Sequence, residues 1–208
     1  MITSVTETTL AVSVEEAKAY GRITNDDEDV LVSSLLRSAQ SAVEDYTCRA
    51  AGEGTYLYVA PRWSTGLGQV PGMLFQAFRP LAPREIPLPR SPLASVQSVK
   101  YLAPGAIELS TLPASEYFAD TYSMPGRIVF RDGANLPDID TESRRPDVVQ
   151  IAFTAGVANP LMRQAILWQF VNLYENRSPV VTGTIATELP LSVRNLLRAL
   201  RVETPFQP

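Results

Sequence analysis

Apolar residues recur at helical spacing in the first fifty positions, break into short runs between prolines and glycines from 55 to 156, and return to helical spacing from 159 onward. Ser13 followed by Glu16 predicts a capping box, in which the hydroxyl takes the Glu16 amide proton and the carboxylate reaches back to the Ser13 amide. The helix it opens stops near Gly21. The acidic stretch from Asn25 to Asp29 suits the positive end of a second helix. In that helix Leu31, Leu35, Ala39, Ala42 and Tyr46 form one face, with Val32, Leu36 and Val43 beside them. Arg37, Gln40, Ser41, Glu44 and Asp45 are assigned to the solvent side, and the helix ends near Cys48.

The middle of the chain holds most of the prolines and reads as strands at Thr55–Ala60, Met73–Arg79, Val96–Leu102, Tyr117–Asp120, Arg127–Arg131 and Val148–Thr154. Val96 and Gln97 do not alternate cleanly with Val99 and Tyr101, which predicts a bulge or an edge position. Gly66, Gly68 and Gly72 are not followed by Gly-Lys-Ser/Thr, so they read as a hairpin tip and not as a phosphate loop. Asp132-Gly133 and the run Pro137 to Asp140 read as turns.

Asn159 as N-cap and Pro160 at the first helical position reopen a helix. It is apolar almost all round through Tyr174, as a central bundle helix would be, with part of it open to a neighbouring subunit. Packing in the bundle or between subunits is assigned to Leu31, Leu35, Tyr46, Trp168, Phe170 and Tyr174. A polar linker, Ser178 to Glu188, leads to a last helix with Val193, Leu196, Leu197 and Leu200 on one face and Arg194, Arg198 and Arg201 on another. A helix of about a dozen residues is marginal alone. Its apolar face needs its own domain, a membrane surface or another protein.

Composition removes most catalytic templates. Histidine is absent, which excludes the commonest general base and the imidazole metal ligand, and a single cysteine, Cys48, excludes an internal disulfide and a multi-thiolate site. Asp138, Asp140 and Glu142 are the one tempting acid cluster for metal-assisted hydrolysis, yet they sit in a loop that reads as solvated. The expectation is a protein that is not an enzyme and holds no cofactor or metal. Met1 to Ser4 lack the start of a signal peptide and no apolar run is long enough to span a bilayer, so synthesis in the cytoplasm and no membrane partner are expected. Residues 1–54 carry ten acids against four bases, 55–158 nine of each, and 159–208 three acids against five bases. Opposite charge at the two ends can orient copies of one chain. The net charge of −4 argues against wrapping nucleic acid.

Taken in order, these pieces resemble the head-tail connector, or adaptor, proteins of tailed bacteriophages and related gene transfer particles. The resemblance is carried by Val12 to Lys18, by Asp26 to Asp29 with Val43 to Arg49, by Leu88 to Leu93 with Ser95 to Tyr101, and by Pro125 to Ile128, Ile151 to Gly156, Arg163 to Ile166 and Tyr174 to Arg177. Two positions depart from the pattern: Cys48 stands where a glycine is usual, and Leu136 where a tryptophan often precedes the proline. The resemblance implies an α+β fold: a small helical bundle with a β-rich insertion and a C-terminal extension helix. On this reading 1–54 holds the N-terminal helices, 55–156 the insertion, 157–177 the central helix, and 178–208 the linker and portal-docking tail. It further implies a dodecameric ring in the virion neck, between the portal protein and a stopper or tail-completion protein. DNA would pass through its lumen without sequence-specific binding. Val193, Leu196, Leu197, Leu200, Arg194, Arg198 and Arg201 are then the expected portal contacts. A stopper or baseplate component is the nearest alternative.

Overall fold

A computed structural model describes residues 2–63, 85–131, 136–142, 144–176 and 189–202, with residues 2–7 described by their backbone. The predicted strand Met73–Arg79, the glycines at 66, 68 and 72, the turn Asp132-Gly133 and the linker 178–188 lie outside the described residues. The fold is α+β, with four α-helices and two antiparallel sheets among the described residues. The chain divides into a β unit, holding 2–8 and 54–156, and a helical unit, holding 9–53 and 157–202.

In the β unit, β1 (Ile2–Thr8), β2 (Gly54–Ala60), β4 (Leu93–Leu102), β5 (Leu109–Thr111) and β8 (Val149–Ala155) form one sheet in the order β1-β2-β8-β4-β5. The second sheet is β3 (Glu85–Pro87), β7 (Arg127–Phe130) and β6 (Tyr117–Asp120), in the order β3-β7-β6. Strict alternation explains β2 and β8: Tyr56, Tyr58, Ile151 and Phe153 all point inward, and the paired Tyr56 and Phe153 rings stack at 5.6 Å. The irregular pattern at Val96 marks a bulge. Register shifts twice along β4 against β8, while β5 pairs with β4 only from Lys100 to Leu102, beyond the bulged stretch. Three strands were absent from the sequence reading: β1, β3 and β5. The last two are three residues long, too short to show a period, and β1 is threonine-rich with no clean alternation.

Trp63 anchors the Leu136-Pro137 loop from within the same unit. Its indole N–H donates to the Pro137 carbonyl at 3.1 Å, and its ring meets Phe130 edge-on at 5.7 Å and Tyr101 at 6.1 Å.

The helical unit contains α1 (Val14–Gly21), α2 (Asp29–Thr47), α3 (Pro160–Glu175) and α4 (Leu191–Leu197), the last continued by a 3-10 turn, Arg198–Leu200. Both expected N-caps are present: Ser13 Oγ accepts from Glu16 N at 3.1 Å, and Asn159 Oδ1 from Leu161 N at 2.9 Å. The reciprocal half of the capping box is not, because the Glu16 carboxylate pairs with Arg163, which also donates to the Ala11 carbonyl at 2.7 Å. Tyr174 donates its hydroxyl to Glu28, so α3 ends where α2 begins and the two run antiparallel.

The buried stripe of α2 is rotated from the predicted face. Val32, Leu36, Ala39, Val43 and Thr47 are its centre, whereas Leu31 is exposed and Leu35, Ala42 and Tyr46 are half-buried. Gln40 and Glu44, assigned to solvent, are buried too. Gln40 accepts from Ala11 N at 2.9 Å and donates to the Thr9 carbonyl and the Glu44 carboxylate, both at 3.0 Å. Glu44 in turn accepts from Ala51 N at 2.9 Å. These side chains occupy core positions because they satisfy backbone groups of the segments entering and leaving the unit. Gly52 belongs to the same corner, where a Cβ would collide with the Thr9 carbonyl oxygen.

Cys48 closes α2 in the left-handed conformation at φ 54°, doing with a side chain what glycine does at no steric cost. Cys48→Gly is therefore expected to raise stability by about 1 kcal/mol. The shift in urea midpoint at constant slope would measure it, and an unchanged or lowered midpoint would show that the cysteine is not strained there.

Candidate functional site

With no catalytic constellation in the sequence, the candidate sites are surfaces. The tail is the first. Val193 and Leu197 are 1% and 0% exposed, and with Val202 they lie in the helical unit's own core beside α2 and α3. Leu196 and Leu200 pack partly against it. Backbone contacts fasten the segment: Val202 N donates to the Thr47 carbonyl at 3.0 Å, and Arg49 Nε to the Leu200 carbonyl at 2.7 Å. Thr47 and Leu200 end their helices, so these bonds satisfy carbonyls that a helix terminus leaves open. The expectation that the apolar face engages another protein is corrected at Val193 and Leu197, which the chain itself covers. Arg194, Arg198 and Arg201 remain at the surface, with the Arg201 guanidinium 5.6 Å from the centre of the Tyr46 ring.

The residues assigned to packing divide. Phe170 is fully buried and lies 6.0 Å from the Tyr174 ring, while Leu35, Tyr46 and Tyr174 flank the core. Leu31 and Trp168 are each 37% exposed. Trp168 shares a face of α3 with Leu161 and Gln164, and Gln164 Nε2 donates to the Tyr20 hydroxyl of α1 at 3.0 Å. Tyr20, Leu161 and Trp168 thus form a partly exposed apolar strip.

Sequence reading gives β6 and β7 as strands but misses the side-chain network that holds the turn between them. Asp120 accepts from the amides of Tyr122 and Ser123 at 3.1 and 3.2 Å, from the Ser123 hydroxyl at 2.6 Å and from Arg127 Nε at 2.9 Å. Arg127 spans onward to Glu85 at 2.9 Å, and at Gly126 a Cβ would collide with Leu93. The tip is thereby fixed and presents Tyr122 and Met124 at the surface, while Phe118 is exposed on β6 itself. Aspartate three residues before serine is the local signal that could have found it; the partners Glu85 and Arg127 are not readable from spacing.

The Ser123 hydroxyl, then the Arg127 guanidinium, hold the Asp120 carboxyl down at about 2, against 3.8 for the free group. A depressed carboxylate pKa contributes stability that is complete above its unfolded value and is lost as pH falls through the folded one. Amide protection at Tyr122 and Ser123 is thus expected to persist at pH 5 and to fade between about pH 4 and pH 2. In Asp120→Ala it should be weak throughout; hydrogen exchange that matched wild type would show that the hairpin does not depend on this carboxylate.

Of the acid cluster, Asp138 and Glu142 are exposed, and Asp140 Oδ1 accepts from Glu142 N at 3.0 Å, a local turn bond. Among the described residues no group of three or more acidic or cysteine side chains is placed to hold a metal, and no helix is long and apolar enough to cross a membrane.

No family model matches the chain, and no curated protein matches it in sequence. Solved structures do match in fold. The chain superposes with a TM-score of 0.70 on a chain of the neck of an empty gene transfer agent (GTA) particle computed with C6 symmetry, at 22% identity, covering 98% of this chain and 96% of that one. The virion of a native gene transfer agent particle gives 0.69, and the neck of the native particle computed with C12 symmetry gives 0.67, at the same identity and coverage. Over nearly its whole length, this chain has the fold of a protein built into the neck of gene transfer agent particles.

Proposed function

We propose that this chain is a structural protein of a phage-type virion neck, an adaptor that forms a ring between the portal and the stopper or tail and surrounds the exiting DNA. One observation carries the reading: the fold agrees over 98% of the chain with neck structures computed under sixfold and twelvefold symmetry. The order of sequence motifs supports it independently, because it singled out the same class of particle. A ring of twelve copies follows from the resemblance and is compatible with both symmetries. Contact with the portal is assigned to the exposed side of the tail, Arg194, Arg198 and Arg201, with Leu196 and Leu200 at its margin. Val193 and Leu197 support that side from within.

The test is co-assembly. Purified chain mixed with its portal should give rings by negative stain, and particles lacking it should accumulate as DNA-filled heads without tails. Tailed, infectious or transducing particles formed without the chain would overturn the reading. A lumen-lining protein must also release DNA. Free protein is expected to shift duplex DNA only at low salt, because the net charge is −4 and the described basic groups include several tied to carboxylates, such as Lys18, Arg127, Arg145 and Arg163. Tight binding at physiological salt would point to a gripping role instead.

A further inference from the structure

We draw no further inference here: the strongest candidate, the exposed apolar patch that Tyr122 and Met124 make at the tip of the β6–β7 hairpin, carries nothing because nothing in the structure shows what covers it.

Discussion

Removing residues 189–208 is expected to unfold the helical unit, not to leave a folded domain without its tail. Polarity of the linker from Ser178 to Glu188 suggests a detachable appendage, yet Val193, Leu197 and Val202 are core residues of that unit. Burying each of these side chains contributes roughly 1.5–3 kcal/mol. Together they approach the whole stability of an ordinary domain, which is about 5–15 kcal/mol. Deletion also strips the Thr47 carbonyl of its donor at the end of α2 and leaves Arg49 without the Leu200 carbonyl. Circular dichroism and limited proteolysis of the truncated chain should show lost helix and rapid cleavage within α2. Leu197→Ala should cost about 2–5 kcal/mol, while Arg198→Ala should stay within about 0.5 kcal/mol. That contrast matters for any portal assay, since only the arginine side of the tail can be altered without confusing docking with folding. A truncated chain that melts as cooperatively as wild type would return the tail to the status of a free arm.

The second large effect lies in α2. Leu36→Asp should prevent folding of the helical unit, because Leu36 is fully buried and an unpaired carboxylate there has no compensating donor. The same change at Leu35, half-buried on the neighbouring flank, should be tolerated better. Gln40→Leu should cost about 1–3 kcal/mol for each backbone group it orphans, since it leaves Ala11 N and the Thr9 carbonyl without partners and removes a donor from Glu44. Urea unfolding of the three variants would rank them. A Gln40→Leu protein as stable as wild type would mean that water replaces the amide at little cost.

What the residues made legible was local. Ser13 and Asn159 act on amides two or three positions away, and the alternation in β2 and β8 is complete within seven residues, so each could be read without knowing the rest of the chain. The phase of α2 was misread because apolar residues line two adjacent stripes, one through Leu31 and Leu35 and one through Val32 and Leu36, and periodicity does not choose between them. Gln40 would have chosen. Its partners, Thr9 and Ala11, lie about thirty positions away, and nothing in the spacing links them. The tail shows the same limit from another side: amphipathicity told that Val193 and Leu197 must be covered, but not by what. Of the partly exposed aromatic surfaces, Trp168 is assigned to packing from the sequence, whereas the β6–β7 hairpin is read only as two strands.

The strand order of the larger sheet bears on how the chain comes to be folded in the cell. Its middle strand, β8, is made after all four of the strands it holds together, and β1 must wait some fifty residues for β2. The helical unit is likewise open until α4 has been made. Long waits between partners slow folding and leave sticky intermediates exposed. During synthesis, then, β2 and β4 are present as bare edges for as long as ribosomes need to reach residue 155, in a protein made in many copies per particle on the reading above. Chaperone dependence that grows as more chains are made at once, and eases when expression is lowered, is the expected cellular consequence of placing the keystone strand last.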